Sequence, residues 1–161
     1  MGLLSQITTE IENYPRDYLD IEIYEVEWPG DVIDVDEQVT FRVRVSNSGP
    51  LHVDNLELVV EGLDDRAEVK GNNAQAQWVS SFTTSAGWFP RVPAHSATDP
   101  GPVEMTGGDF SFRAKKPAAQ PKDLIKVSVY GWSSSFDHFF GGHTRADAEA
   151  DDVYRSTVSA A

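Results

Sequence analysis

Four carboxylates lie close together in the segment that follows Pro29 and Gly30: Asp31, Asp34, Asp36 and Glu37. Ca²⁺ is bound in proteins by oxygen ligands of this kind. The spacing is not that of an EF-hand loop, however, and a solvated acidic turn explains the same residues equally well. Whether this cluster binds Ca²⁺ therefore stays open at the level of sequence.

A second group of metal-ligating residue types lies nearer the carboxyl end: Asp137, His138, His143 and Asp147. The two histidines are separated by a spacing that matches neither a helical ligand pair nor a zinc finger. Three phenylalanines and a Gly-Gly pair accompany them, which favours a loop that packs its own aromatic side chains. We predict no metal site and no cofactor.

Motifs for nucleophilic or phosphate chemistry do not occur in the sequence. It contains no G-x-S-x-G elbow, no Walker loop and no H-E-x-x-H. The chain has no cysteine, which excludes a thiol nucleophile, a thiolate zinc site and a disulfide framework. We therefore predict that the protein is not an enzyme and has no catalytic residues.

Aromatic side chains gather in an irregular, proline-rich part of the chain: Trp78, Phe82, Trp88 and Phe89. Aromatic residues on loops can stack on sugar rings, anchor a protein interface, or cover the open edge of a β-fold. All three roles remain open, with a protein interface favoured. We predict that these four residues contact a partner.

The first element that the sequence predicts is a short helix. Four apolar residues recur at steps of three and four, the spacing of one helix face: Leu4, Ile7, Ile11 and Tyr14. Pro15 is expected to end this helix. About 11 residues are too few for a stable isolated helix. We therefore predict a helical extension over residues 1–16 whose apolar face makes partner contacts.

Alternation of apolar and polar residues then predicts strands. Between Leu19 and Trp28 the alternation slips by one residue, which indicates a β-bulge. The segments predicted as strands are 19–28, 39–45, 56–62, 66–70, 124–132 and 153–159, with 78–82 and 109–113 as further candidates. The apolar residues of 39–45, 56–60 and 125–129 are expected to face one common core.

The strand count predicts an all-β protein, an immunoglobulin-like β-sandwich of seven to nine antiparallel strands. We predict one sandwich domain over residues 17–161. Within it, residues 71–122 hold six of the nine prolines and are predicted to be mostly a long insertion.

One stretch of the chain has a recognisable pattern. Residues 35–49 read V-D-E-Q-V-T-F-R-V-R-V-S-N-S-G, and residues 53–60 read V-D-N-L-E-L-V-V. This resembles the CARDB-type immunoglobulin-like domains of bacteria and archaea, which have a V-T-F-x-V-x-V-x-N-x-G strand and turn followed by an N-V-x-V-x-V strand. The resemblance covers about a sixth of the chain. It implies an immunoglobulin-like fold with a role in adhesion, surface layers or assembly.

The charge of the chain limits its partners. Its 161 residues have a formal net charge of −13, which argues against nucleic acid and anionic lipid surfaces. No apolar run is long enough to span a bilayer. The acidic, lysine-poor composition has two open explanations, a halophilic source or an ordinary acidic protein from a GC-rich genome. Residues 1–7 lack the basic and apolar regions of a signal peptide, so we expect a protein that is not Sec-secreted.

These observations together predict a non-catalytic structural or interaction subunit. It is expected to assemble with other protein chains, as homo- or hetero-oligomers, through the leading helix and the long insertion. A virion or tail-like particle fits best, so the expected location is such a particle or the cytoplasm. The alternative is a carbohydrate-binding module or an adhesin-type domain, with a glycan as the ligand.

Overall fold

The computed structural model describes residues 16, 18–27, 32–50, 52–71, 76–84, 92, 103–104, 109–134, 144–145 and 150–160. Over these residues the protein is all-β, with eleven strands in two sheets. Helical conformation in the described residues is confined to Arg16 and Tyr18, directly before the first strand. The rest of the helical extension predicted over residues 1–16, including its expected end at Pro15, lies outside the described residues.

The first sheet has the strand order β1 (Leu19–Glu27), β3 (Gln38–Asn47), β8 (Phe110–Ala114), β5 (Ala67–Lys70), with β7 (Val103–Glu104) also paired to β3. The second sheet has the order β2 (Ile33–Asp34), β11 (Asp151–Ser159), β9 (Ala118–Ser134), β4 (Val53–Gly62), β6 (Ser81–Thr83), with β10 (Thr144–Arg145) also paired to β9. The strand pairs are antiparallel, except that β2 and β11 are parallel.

The predicted register of the central strand β3 is confirmed. Its alternate residues Val39, Phe41, Val43 and Val45 are fully buried, whereas the residues between them are half-buried on the opposite face. The predicted irregularity in β1 is also present, because the pairing of β1 with β3 shifts between Tyr24 and Glu27. After β3, the Gly49 N–H donates to the Asn47 side-chain oxygen at 3.0 Å and so closes the predicted turn.

Both sheets contribute to one hydrophobic core. The predicted core residues of the second sheet are fully buried in the same cluster as those of β3: Leu56, Leu58, Val60, Ile125, Val127 and Val129. Phe41 packs against Phe110 and Phe112 with ring centroids 5.7 and 5.9 Å apart. Phe112 of the first sheet also contacts Tyr154 of the second, at 5.8 Å. Burial in this contact raises the pKa of Tyr154.

The structure differs from the sequence-based prediction in two strands. β9 has 17 residues and begins at Ala118, within the segment that proline content predicted to be loop. In β8 the burial of successive residues does not alternate. Ser111 lies on the outer face but is buried, as are its neighbours Phe110 and Phe112. The outer face of Ser111 is covered by Gln38, whose side-chain amide donates to the Ser111 hydroxyl oxygen at 3.2 Å.

Candidate functional site

Residues 76–84 connect the two sheets and place Trp78 at the edge of the first. Val79 exchanges two backbone hydrogen bonds with Val69 of β5, at 2.8 and 2.9 Å. Two residues later, β6 pairs with β4 of the second sheet. The residue before Val79 is therefore held beside Lys70, the last residue of β5.

The indole ring of Trp78 lies against two cations. The Lys70 Nζ is 4.8 Å from the ring centroid, and the central guanidinium carbon of Arg113 is 4.7 Å from it. Both distances fall within the range of about 6 Å in which a cation is attracted to an aromatic face. Trp78 remains half-buried, so part of the side chain is open to solvent.

Arg113 is fixed by a carboxylate on the neighbouring strand. Its Nε and Nη2 both donate to Glu68 Oε1, at 3.1 and 2.8 Å. The hydrogen bond from Arg113 holds the pKa of the Glu68 carboxyl below its usual value. Lys115 Nζ lies 3.6 Å from the same oxygen and 3.1 Å from Asp36 Oδ1. Arg113 and Lys115 are therefore each matched by a carboxylate.

Lys70 differs from these two cations. Among the residues that the structure describes, its ammonium group forms no ion pair and no hydrogen bond, and its contact is the Trp78 ring. The register places Ser111 directly opposite Lys70, and Thr40 directly opposite Ser111. Thr40, Ser111, Lys70 and Trp78 thus form a row across the outer face of the first sheet. The row consists of two hydroxyl groups, an ammonium group and an indole ring. We call Gln38, Lys70, Trp78, Ser111 and Arg113 the Trp78 face.

The rest of this outer face has cross-strand charge pairs. Arg44 Nε and Nη2 donate to the two carboxylate oxygens of Glu22 at 3.0 and 3.1 Å, and its guanidinium lies 4.4 Å from the centre of the Tyr24 ring. The hydrogen bond from Arg44 lowers the pKa of Glu22. Arg42 Nε donates to Asp109 Oδ1 at 2.8 Å.

The structure places two of the eight residues predicted to contact a partner. Trp78 lies on the outer face just described, whereas Phe82 of β6 is partly buried and meets the core residue Phe110 edge-to-face at 5.6 Å. The remaining six lie outside the described residues: Leu4, Ile7, Ile11, Tyr14, Trp88 and Phe89. Their partner contact stays a prediction.

Three residues of the acidic cluster, Asp34, Asp36 and Glu37, lie at the end of β2 and in the turn that leads to β3. Asp36 has a left-handed backbone with φ of 67° and pairs with Lys115. The Glu37 N–H donates to the Asp34 carbonyl oxygen at 3.2 Å, and Glu37 Oε2 lies 3.4 Å from the Asp34 nitrogen. Asp31 and the group around His138 and His143 lie outside the described residues.

The described part of the chain shows neither a metal-ligand cluster nor a membrane-spanning helix. There, no group of three or more His, Cys, Asp or Glu side chains is arranged to hold a metal ion. No helix in that part is long and apolar enough to cross a membrane.

Comparison with known proteins does not place the chain in a family. No protein-family model matches the sequence, and no curated protein matches it.

Sequence reasoning named Trp78 but missed the residues around it. Lys70 and Arg113 occupy alternating polar positions in two predicted strands. The alternation therefore indicated that both side chains lie on a strand face turned away from the core. What the pattern could not supply was the strand order, which makes β5 and β8 neighbours and brings Val79 to the free edge of β5.

Proposed function

We propose that this chain is a non-catalytic interaction subunit, an immunoglobulin-like β-sandwich that assembles with other protein chains. A virion or a tail-like particle is the kind of assembly proposed. The two sheets with their common core and the CARDB-like pattern of residues 35–60 support the sandwich.

The kind of polar side chain that is buried is the observation that supports a scaffold most directly. The buried polar residues in the described part of the chain are four, and all are uncharged: Asn47, Thr84, Ser111 and Ser128. Acid–base and nucleophilic catalysis depend on titratable groups whose pKa is adjusted by a sheltered site. The lowered pKa values of Glu22 and Glu68 arise instead from arginines on an outer sheet face. The side chains of these two pairs lie at the surface, between 29% and 49% exposed.

The contacts of the assembly are proposed to lie in residues 2–14 and 71–122. An apolar helix face and exposed aromatic side chains gain free energy when a partner removes them from water. The exposed Tyr18, directly before β1, belongs to the same end of the chain as the proposed docking helix.

Light scattering over a range of protein concentrations tests the proposal. A mass that is a multiple of the 17.8 kDa chain is expected. Deleting residues 2–14, or changing Trp88 and Phe89 to Ser, should return the mass to that of one chain while circular dichroism still reports a β-fold. A matched control is Val153→Ser, which removes an exposed apolar side chain from the outer face of the second sheet and should leave the mass unchanged.

The assembly proposal is contradicted by a strict monomer at all concentrations. It is also contradicted if both variants assemble as the unmodified chain does, because the proposed contacts would then contribute nothing.

A further inference from the structure

Hydrogen-bond donors surround Trp78 without matching acceptors. Arg113 uses Nε and Nη2 for Glu68, which leaves Nη1 without an acceptor among the described residues. The Lys70 ammonium and the Trp78 indole N–H likewise have no hydrogen-bond acceptor in that part of the chain. The Trp78 face therefore presents three separate N–H donors around one aromatic ring.

Among the described residues of this region, one cation has no carboxylate partner. Arg113 and Lys115 are matched by Glu68 and Asp36, at distances of 2.8 to 3.6 Å. Lys70 is additional to these pairs. A chain of net charge −13 repels anions overall, so a local positive group selects a ligand that places an anionic oxygen at that point.

The position of the face within the sheet argues against a bound peptide strand. Extended peptides gain affinity by pairing their main chain with a free sheet edge. Here β8 is paired on both sides, by β3 and β5, and β5 is paired by β8 and Val79. The backbone groups beneath the Trp78 face are thus already used, and side chains must do the binding.

We propose that the Trp78 face binds an acidic saccharide. The exposed part of the indole stacks on a pyranose ring, as aromatic side chains can. The Lys70 ammonium and Arg113 Nη1 donate to a carboxylate or sulfate group on the sugar. Ser111 and Gln38, which are already hydrogen-bonded to each other at 3.2 Å, line the same face for the sugar hydroxyls. Trp78, Ser111 and Arg113 belong to the range 71–122 in which assembly contacts are also proposed, but saccharide binding is measured separately from the mass of the assembly.

Calorimetric titration of the full chain with defined oligosaccharides tests the inference. The probes are an oligogalacturonate for a carboxylate, a sulfated galactan oligosaccharide for a sulfate, and a neutral cello-oligosaccharide. Binding of at least one acidic probe and not of the neutral one is expected. Whichever acidic oligosaccharide binds shows whether the anionic group is a carboxylate or a sulfate. Raising NaCl from about 0.1 M to about 1 M should weaken binding, since screening shortens the range of the Lys70 charge.

Two variants and a control locate the site. Lys70→Gln should weaken binding of the acidic probe about tenfold, as the loss of a charge-assisted hydrogen bond does. Trp78→Ala should abolish binding, whereas Trp78→Phe should retain part of it. Lys116→Gln removes an exposed lysine located between β8 and β9 and should leave affinity unchanged. Because Lys70 is on the surface, its variant reports on binding without loss of the fold.

Three results would overturn the inference. They are the failure of both acidic probes to bind, equal binding of the neutral probe, and binding that Lys70→Gln does not change. A fourth titration with poly-glutamate completes the test. If poly-glutamate binds at the Trp78 face and the saccharides do not, the ligand is an acidic polypeptide and the saccharide assignment is wrong.

Discussion

The two sheets meet along two sides that are closed in different ways. On one side, which we call the Gly62 side, the backbone itself passes between the sheets. There Val79 pairs with β5, β6 pairs with β4, and the Gly62 N–H donates to the Ser80 carbonyl oxygen at 2.9 Å. On the other side, β1 and β11 lie next to each other, and no backbone hydrogen bond joins them in the described residues.

Among the described residues, the carboxylate of Asp152 joins β1 to β11. Asp152 Oδ2 accepts a hydrogen bond from the Ile23 N–H of β1 at 2.7 Å, and Oδ1 accepts from the Val153 N–H of β11 at 3.0 Å. We call this the Asp152 side. Strand edges with unpaired N–H groups invite pairing with other chains, and an acidic side chain placed there blocks such pairing.

The difference shows that closure by backbone and closure by side chain make different demands on the sequence. Backbone closure brings two main chains so near that one position must be glycine. Side-chain closure between β1 and β11 depends on the charge and reach of one residue, although further along β11 the backbone at Val35 and Asp36 also crosses from Ser159 to Ala114 of β8. The two sides should therefore respond to opposite kinds of substitution, an added methyl group on one and a lost carboxylate on the other.

The largest effect is expected for Gly62→Ala. A Cβ at Gly62 would overlap the Ala67 carbonyl oxygen and lie 2.6 Å from its carbon, and backbone atoms of a paired strand cannot move aside cheaply. We expect a loss of about 3 kcal/mol in the free energy of unfolding, measured by urea denaturation, the upper end of overpacking costs.

Gly71→Ala is the matched control on the same side of the molecule. A Cβ there would meet the Phe82 ring at 3.8 Å, an ordinary contact. Its effect should be small by comparison. Equal losses in the two variants would contradict the claim that close backbone approach requires Gly62.

Asp152→Ala should produce the second largest effect. It leaves the Ile23 and Val153 N–H groups without their acceptor, and hydrogen bonds to charged groups contribute about 1.5–3 kcal/mol. We expect a loss of about 2 kcal/mol in the free energy of unfolding. Hydrogen exchange at Ile23 should accelerate more than exchange in β3. Asp152→Asn keeps one carbonyl oxygen and should retain part of the stability.

Asp151→Ala is the control for the Asp152 side. Its carboxylate lies 3.8 Å from Lys126 Nζ on the outer face, and exposed pairs of this kind contribute little. If Asp151→Ala destabilises the protein as much as Asp152→Ala, net charge and not closure of the two edges explains the effect.

Some features of these two sides could be predicted from the sequence, and others could not. The alternation in β3 and β4 correctly predicted which side chains enter the core, because strand periodicity is a local property. The bulge in β1 was readable from the slipped alternation for the same reason. Ile23 and Asp152, however, are 129 residues apart, and no local pattern relates them.

Two local rules were overridden by tertiary context. Proline content predicted loop around Pro121, yet this segment forms the start of β9, where pairing with β11 shifts in register and tolerates a residue without an N–H. Gly62 was read from sequence only as a strand end. Its close approach to Ala67 depends on the placement of β5 in the other sheet, which the sequence did not predict.

A smaller, stabilising effect is expected at the turn that leads from β4 to β5 on the Gly62 side. Asp64 and Asp65 both have left-handed backbones, with φ of 53° and 56°, and the Arg66 N–H donates to the Leu63 carbonyl oxygen at 2.8 Å. Glycine is preferred at the second of these positions. Asp65→Gly should raise the free energy of unfolding by about 0.5–1 kcal/mol, because it removes the cost of a left-handed Cβ.

Asp36→Gly is the comparison for this prediction. Asp36 has a similar φ of 67°, but its carboxylate accepts from Lys115 at 3.1 Å, so the gain in backbone freedom is offset by a lost ion pair. Thermal unfolding of the two variants should show stabilisation for Asp65→Gly alone. Destabilisation by Asp65→Gly would mean that its carboxylate has a structural role.

The smallest effect on stability is expected when acid protonates two surface carboxyl groups, one on each side of the molecule. The effect should be the same for both. Glu22 of β1 and Glu68 of β5 each have a pKa lowered below 4.5, mainly by a hydrogen bond from an arginine. A carboxyl whose pKa is lower in the folded state stabilises the protein above its unfolded pKa, and this contribution is lost as the pH falls through the folded value. Melting temperatures between pH 6 and about pH 3 should therefore depend slightly less on pH in Glu22→Gln and in Glu68→Gln. Both pairs are exposed, so the two changes should be small and similar, and 1 M salt should reduce them. A large change in one variant alone would mean that an ion pair, and not Gly62 or Asp152, distinguishes the two sides.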